Sequence, residues 1–345
     1  MDSGNLAWSV TATALVLFMT PGVAFFYGGL VKAKSVVSMM MMSFGALGLV
    51  SVLWILYGFN MSAVGSTWEF AGNPFSDFGL GSAGSDTLVG ATFGATFAII
   101  TVALISGAIA DRAKFGAWMI FAGIWATVVY FPVSAWVWGG GWIMGLGETF
   151  GFDASVIDYA GGTAVHINAG AAALALALVL GKRIGFQKGI HKPLWFGWFG
   201  FNAGAEGTFA LLGTEDSTVG LIIVNTLGAT AAAIIGWLII EKIKDGKATS
   251  VGAASGAVTG LVAITPACAN LTPGWALLLG LVAGVICALA VELKWKLGYD
   301  DSLDVVGIHL VGGVVGTVYL GFFATETGLF LGGGAEQLIL QVVAA

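Results

Sequence analysis

Two histidines lie inside long apolar stretches of the sequence. His166 is embedded in GGTAVHINAG and His309 in DVVGIHLVGG. An ionisable residue inside an apolar span is costly and by default marks a substrate or proton pathway. A neutral imidazole accepts at one nitrogen and donates at the other, so a buried pair could pass a proton or hydrogen-bond a small N–H species. The residues leave open the alternative that each histidine only joins two helices.

Acidic residues lie near both histidines and inside one other apolar stretch. Asp158 precedes His166 by eight residues, and Asp304 precedes His309 by five. Asp158 begins an apolar run, where a carboxylate is expected to cap a helix and complement its dipole. Glu206 lies in the pattern FNAGAEG without a basic neighbour. Such a buried carboxyl group is expected to reach an aqueous vestibule, pair with a donor or be protonated.

Several aromatic residues recur at helical spacing. Phe93 and Phe97 are four residues apart and share a helix face. Trp198 and Phe201, three residues apart, nearly do so. Trp138 directly precedes three glycines at the end of an apolar run, where its indole could face an incoming cation. Most of the 13 tryptophans are expected to serve packing and the membrane interface.

The composition excludes a soluble protein. Hydrophobic residues make up 58% of the 345 residues and charged residues only 9%, against roughly 25% charged in a typical globular chain. The net charge of −6 comes without a basic patch, so no nucleic acid partner is expected. The only two cysteines, Cys268 and Cys287, indicate neither a disulfide framework nor a thiolate metal site. No nucleophile with a base, carboxylate pair or metal-ligand cluster is recognisable, so we predict neither an enzyme nor a cofactor.

Ten apolar runs, broken by charged clusters, predict ten membrane-spanning helices. They lie near residues 6–27, 36–59, 87–110, 116–137, 159–180, 194–212, 219–240, 251–266, 274–293 and 303–323. All 13 basic residues follow odd-numbered spans. By the positive-inside rule, these loops face the cytoplasm and the N-terminus lies outside. We therefore expect a multi-pass protein of the cell (plasma) membrane, with His191 in a solvated cytoplasmic loop.

Ten spans divide into two halves of five that enter the membrane in opposite orientations, as in the inverted repeats of many transporters. The chain is expected to form a single membrane domain over residues 1–345, with one half near 6–180 and the other near 194–323. The stretch 335–345 begins like another apolar helix but is too short to cross a bilayer. We expect it to be an incomplete last span or an interfacial segment.

Taken together, the sequence motifs resemble those of the ammonium transporter family, which includes methylammonium permeases and Rhesus proteins. The resemblance covers essentially the whole chain and rests on TPGVAFFYGGLV, FGATFAIITVALISGAIADR, VWGGGW, DYAGGTAVHINAG, WFGFNAGAEG, TLGATAAA, ITPAC and DDSLDVVGIHLVGG. It implies an all-α integral membrane protein of ten to eleven helices, with two inverted five-helix repeats around a central pore. It also implies a homotrimer with one pore in each protomer.

The resemblance carries site roles onto individual residues. His166 and His309 resemble the family's twin pore histidines. Phe97 and Phe201 resemble its stacked phenylalanine gate, and Trp138 resembles the aromatic residue of its outer cation site.

Three further residues take roles by the same resemblance. Phe93 is expected to flank the gate, Trp198 to line the pore near the histidines, and Asp158 to organise the outer site as a buried acid.

Two features depart from the family pattern. Most members have a serine at the outer site, where this chain has Ala205 followed by Glu206. The change removes a hydrogen-bond acceptor for the cation, which the glutamate could replace. By this resemblance, the family's last span and cytoplasmic tail are expected to be missing or incomplete in this sequence. Because the family uses the tail for coupling between protomers and for docking a PII-type regulator, neither property carries over directly.

The resemblance implies a transporter or channel for ammonium, with methylammonium as an analogue. Ammonium would be recruited at an outer aromatic vestibule and deprotonated, and ammonia would pass along the twin histidines with or without its proton. Two alternatives stay open. A sensor would keep the binding residues but restrict conduction, and a neutral-gas channel would use the same narrow pore.

Overall fold

The computed structural model describes residues 2–65, 70–183, 198–208 and 217–345. Within these ranges the regular structure is helical, without an extended strand. Eight helical segments are long and apolar enough to cross a membrane: α1 (Ser3–Leu30), α2 (Ala33–Met61), α3 (Ser85–Ile109), α4 (Phe115–Trp138), α5 (Gly162–Leu180), α7 (Val219–Asp245), α9 (Pro273–Leu297) and α10 (Val306–Phe323). The prediction of an all-helical membrane protein is confirmed.

Three further helices, of nine to fifteen residues, belong to the described part of the bundle. They are α6 (Trp198–Thr208), α8 (Ser250–Ile264) and α11 (Glu336–Ala344). The predicted span 194–212 lies partly outside the described residues. His191 and its neighbours lie wholly outside them. The predicted span 251–266 corresponds to α8. The count of ten to eleven crossing helices and the inverted repeat stay predictions.

The helix α3 occupies the centre of the first half. Its residues 95–105 are all buried, and they are either apolar or carry small hydroxyl groups. This stretch is therefore surrounded by other helices on every side. Outer helices instead expose large apolar side chains, such as Phe18 and Phe25 on α1 and Ile120 and Ile124 on α4. Apolar side chains on the outside of a bundle are what a lipid environment requires. The polar functions must therefore be sought between the helices.

The two histidine-bearing helices, α5 and α10, begin in the same unusual way. Each starts with a π-helical turn, Gly162–Ile167 in α5 and Val306–Leu310 in α10. Single π-helical turns are rare and frequent at functional sites. The two helices approach closely, because a Cβ on Gly170 would lie 2.5 Å from the backbone nitrogen of Leu310. Glycine at this position allows the contact that brings the two π-helical turns together.

The connecting segments meet at two opposite ends of the bundle. At one end, which we call the basic end, the Ser302 N–H donates to the carbonyl of Ala108 (3.3 Å), and the Arg112 guanidinium donates to the carbonyl of Gly181. At the other, the acidic end, the Tyr159 N–H donates to the carbonyl of Pro266 (3.2 Å). The basic residues that the structure describes follow helices that end on the basic side.

The stretch 335–345, for which an incomplete span or an interfacial segment is predicted, contains the helix α11. It packs on α10, with Leu340 and Ala344 buried. Two glutamines of α11, Gln337 and Gln341, are buried as well. The helix is therefore a packed element of the acidic end.

Candidate functional site

The two histidines meet in the interior of the bundle. The Nδ1 atoms of His166 and His309 lie 3.1 Å apart, and the ring centroids 5.2 Å apart at an interplanar angle of 25°. Both side chains are buried. Since one Nδ1 must donate and the other accept, the hydrogen bond requires opposite tautomers of two neutral rings. The Nε2 atom of His166 makes no hydrogen bond with the part of the chain that the structure describes, so it can bind a small polar solute.

Aromatic rings connect the histidine pair to the acidic end. Trp198 stacks on His166, with centroids 5.3 Å apart at 19°. Phe201 lies 6.1 Å from His166 and stacks on Phe97 at 4.3 Å and 19°. Trp138 meets Phe97 edge to face at 6.0 Å and 87°. The contacts thus run without interruption from Trp138 to the histidines.

Neighbouring side chains fix these rings. Phe93 packs on Phe97 with centroids 4.9 Å apart. The Trp198 indole donates to the hydroxyl of Thr265 (2.9 Å), which in turn donates to the Asn202 side chain (3.2 Å). Thr265 and Asn202 were not identified from the sequence. Two features of the sequence could have indicated them. A buried indole such as that of Trp198 needs a hydrogen-bond acceptor, and Asn202 directly follows Phe201 in the pattern FNAGAEG.

The buried Asp158 caps α5 through its carboxylate. One oxygen accepts the N–H groups of Gly161 (3.0 Å) and Gly162 (2.5 Å), and the other those of Thr163 (3.0 Å) and Ala164 (3.0 Å). Burial raises the pKa of Asp158, and these four N–H groups act against that rise.

The backbone around Asp158 also holds the aromatic residue of the acidic end. The Trp138 indole donates to the Asp158 carbonyl at 2.7 Å. Gly161 has φ 111°, a left-handed conformation that glycine adopts without strain and that turns the chain into α5. Asp158 thus sets both the start of the His166 helix, through its carboxylate, and the position of the Trp138 ring, through its carbonyl.

At the basic end, Asp301 and not Asp304 takes the place that corresponds to Asp158. Asp301 accepts the N–H of Val306, the first residue of α10, at 2.7 Å. Asp304, which lies five residues before His309, instead forms an ion pair with Lys294. The signal in the sequence was the equal spacing, since Asp301 precedes His309 by eight residues, as Asp158 precedes His166.

Glu206 is fully buried beside the Asp158 segment. Its carboxyl group accepts the Tyr159 hydroxyl (2.6 Å), the Thr218 hydroxyl (2.8 Å) and the Thr218 N–H (2.5 Å). Of the three environments expected for this residue, the structure has the paired one, with neutral donors. The adjacent Ala205 is also buried and contributes no polar group. Tyr159 and Thr218 were not identified from the sequence, although Tyr159 adjoins Asp158.

These observations define a multi-pass helical membrane protein in which an aromatic stack leads from one end of the bundle to a buried histidine pair. A profile of the Ammonium Transporter Family matches residues 7–345. An ammonium transporter of Mycobacterium tuberculosis strain H37Rv is 48% identical, and the match covers 100% of this chain and 81% of that protein.

Two solved structures are similar over nearly the whole chain. The crystal structure of Candida albicans Mep2 matches with a TM-score of 0.87 at 32% identity, covering 100% of this chain and 80% of that one. A structure of a sensor Amt protein matches with a TM-score of 0.86 at 26% identity, covering 99% and 88%. The chain belongs to the ammonium transporter family, which confirms the resemblance found in the sequence.

Proposed function

We propose that this protein carries ammonium across the cell membrane by recruiting the ion at the acidic end, removing its proton and conducting ammonia along the two histidines. The observation that carries the proposal is the unbroken series of ring contacts from Trp138 through Phe97 and Phe201 to His166 and His309. In this arrangement the acidic end and the N-terminus face outward, and the protomers form a homotrimer. Transport of this kind requires no enzymatic step.

The first step is recruitment at Trp138. An aromatic face at a partly desolvated mouth offers roughly 1 to 2 kcal/mol of cation–π attraction. Among the described residues, two buried carboxyl groups near this mouth, Asp158 and Glu206, are bonded by backbone or neutral donors and not by basic side chains. They therefore leave the acidic end favourable to a cation. Because Ala205 offers no hydroxyl, recruitment relies on the rings and on this negative potential.

The second step is loss of the proton near the phenylalanine gate. Moving a small ion into a medium of low dielectric constant costs on the order of 20 kcal/mol by idealised estimates, which the attraction at Trp138 cannot offset. Phe97 and Phe201 are stacked and both buried, so an ion has no space to pass with its water. Ammonium can lose its charge by passing its proton either back to water at the outer mouth or to the imidazole pair, which then relays it inward. Potassium has no proton to give up, so it is refused.

The third step is passage along the imidazoles. Neutral ammonia can both donate and accept hydrogen bonds, and the His166 Nε2 atom is free to bind it. The hydrogen bond between the two Nδ1 atoms offers a relay for a proton that travels inward, if the net transport is electrogenic.

Uptake of radiolabelled methylammonium by cells that lack their own ammonium uptake system tests this function. Cells expressing the wild-type chain are expected to accumulate the label in competition with ammonium and to grow on low ammonium. The exposed Asp153→Ala variant serves as a matched control for surface expression. If the wild-type protein reaches the membrane and supports neither uptake nor growth, the proposal is wrong.

A second candidate function is ammonium sensing. It is favoured by the likeness to a solved sensor Amt protein and by the missing hydroxyl at Ala205. A sensor would bind ammonium but conduct it slowly. Calorimetric binding of ammonium to the purified protein, without measurable flux in liposomes, would support sensing over transport.

A further inference from the structure

The helix α11 holds the segment before Asp158 through one buried side-chain amide. Gln341 is fully buried. Its Oε1 accepts the Ile157 N–H at 2.9 Å, and its Nε2 donates to the Ile157 carbonyl at 2.9 Å. The same Nε2 donates to the Thr317 carbonyl of α10 at 3.1 Å. Gln341 thus bonds both backbone groups of a single residue and ties that residue to a third element.

The bonded residue directly precedes the acid that organises the acidic end. The Ile157 carbonyl and the Asp158 N–H belong to the same peptide unit, so fixing this carbonyl fixes the plane of that unit. The next carbonyl, that of Asp158, accepts the Trp138 indole. The Asp158 side chain caps α5, four residues before the π-helical turn that carries His166. A rotation at Ile157 would therefore displace both the ring and the cap.

The other contacts of α11 with this region are weaker supports for Asp158. Gln337 donates to the Ser155 carbonyl at 3.0 Å and to Gln341 Oε1 at 3.2 Å. The Thr163 hydroxyl donates to the carbonyl of Ala344 at 3.0 Å. Ser155 is three residues from Asp158, whereas Ile157 is adjacent to it. Gln337 is as buried as Gln341 and lies one turn away on the same helix, so it provides a matched comparison.

We propose that Gln341 is a positioning residue for the cation site at the acidic end. It acts through Ile157 and Asp158, holding the Asp158 carbonyl toward Trp138 and the Asp158 carboxylate over the start of α5. The part of this role that concerns transport rests on the proposed function. The part that concerns the Asp158 cap does not.

Hydrogen exchange measures the cap without reference to transport. In purified protein, Gln341→Leu is expected to speed exchange of the Gly161 to Ala164 amides by about tenfold, because a loosened Asp158 releases them, which corresponds to about 1.4 kcal/mol. Gln337→Leu, which leaves the bonds to Ile157 in place, is expected to change this exchange about threefold or less, or about 0.65 kcal/mol. Equal exchange in Gln341→Leu and the wild type would overturn the proposal, as would equal acceleration in the two variants.

The concentration dependence of methylammonium uptake measures the consequence for transport. Gln341→Leu is expected to raise the apparent KM about tenfold and to leave the maximal rate per protein at the surface within about twofold. Trp138 loses the support of the Asp158 carbonyl, whereas the His166 ring, at the far end of the π-helical turn, is still held by Trp198 and His309. Gln341→Glu keeps the side-chain shape and one acceptor, so its KM is expected to lie between those of Gln341→Leu and the wild type. A purely structural role would lower surface protein and maximal rate with KM unchanged, and that result would contradict the proposal.

The two measurements separate the two claims. If wild-type protein transports nothing but Gln341→Leu still accelerates exchange selectively at residues 161–164, the proposed function fails and the positioning role stands. If transport is present and neither exchange nor KM responds to Gln341→Leu or Gln341→Glu, the positioning role fails alone. Should Gln341→Leu not fold, the exchange and KM of Gln341→Glu decide, with wild-type values for both overturning the role.

Discussion

The two ends of the bundle place a carboxylate at the start of a histidine-bearing helix, in different surroundings. At the acidic end, Asp158 is held by four backbone N–H groups. At the basic end, Asp301 accepts the N–H of Val306, while Lys294 donates to the Asp301 carbonyl at 3.0 Å and pairs with Asp304. At the acidic end, backbone N–H dipoles stabilise the carboxylate at the helix start. At the basic end, a lysine lies beside the corresponding carboxylate.

The basic end carries a wider ion-pair network that has no counterpart among the described residues of the acidic end. Asp300, which is fully buried, lies 3.3 Å from Arg112 and 3.4 Å from Arg183. These contacts join the segments after α3 and α5 to the segment before α10. The comparison teaches that a capped histidine helix does not need a cation nearby. In the proposed function, the acidic-end carboxylates, which have no basic partner among the described residues, contribute to the attraction of a cationic solute.

Removal of the acidic-end carboxylate is expected to have the largest effect on folding and uptake. Asp158→Ala leaves four buried N–H groups without their acceptor, at about 1 to 3 kcal/mol each. We expect almost complete loss of folded protein from the membrane and uptake at background. Thermal melts monitored by size-exclusion fluorescence measure the first effect. The exposed Asp153→Ala, in the same connection, should melt like the wild type; an unchanged melt for Asp158→Ala would contradict the account.

Removal of the basic-end cation should be the next largest effect. Lys294→Met leaves Asp304 and the carbonyl of Asp301 without their donor, and breaking a buried pair from one side costs about 4 kcal/mol. The protein should lose stability, while the KM of whatever protein remains folded should not change, because the proposed cation site lies at the other end. The exposed Lys296→Met is the control. A raised KM in Lys294→Met would show that the two ends are not independent.

The Asp301 carboxyl predicts a pH dependence confined to the basic end. Burial raises its pKa to about 6, with Asp304 adding to the rise and Lys294 opposing it. The folded protein therefore holds a proton between about pH 4 and about pH 6 that the unfolded chain has lost, so stability falls as pH rises through that window. Relative to Asp301→Asn, the wild type should lose roughly 3 kcal/mol from pH 4 to pH 7. If the difference in stability between the wild type and Asp301→Asn does not change from pH 4 to pH 7, this assignment is wrong.

The smallest expected effect concerns Glu206 at the acidic end. Glu206→Gln keeps one acceptor for Thr218 but replaces the oxygen that faces the Tyr159 hydroxyl, at a cost of about 1 kcal/mol. If Glu206 contributes to the attraction of the cation, the apparent KM for methylammonium should rise about fivefold. Ala205→Ser, which restores a hydroxyl next to it, should act in the opposite direction. If both variants have the KM of the wild type, this position takes no part in recruitment.

Much of the site could be predicted because it follows from local pattern and family likeness. The apolar runs predict the spans, since every backbone polar group in lipid must be satisfied within a helix. The repeated eight-residue spacing from an aspartate to a histidine contains the relation between the two halves. Because acidic residues stand at both Asp301 and Asp304, spacing alone does not select the one that caps the helix.

Other parts depend on contacts between distant segments and could not be predicted. Gln341 bonds Ile157 across 184 residues, and nothing in the apolar pattern of α11 selects its partner. The π-helical turns at Gly162–Ile167 and Val306–Leu310 depart from the regular helical period and lie where α5 packs closely on α10, and the apolar pattern does not specify them. The Nδ1 contact of the histidines follows from that packing.

The central claim is that two neutral imidazoles share a passage too narrow and apolar for a permanently charged solute. It is tested most directly by comparing ammonium and potassium flux in liposomes that contain the wild-type protein or the His166→Ala, His309→Ala double variant. The account predicts ammonium flux without potassium flux for the wild type, and loss of that selectivity in the double variant. Selectivity that is unchanged without the two histidines would contradict it.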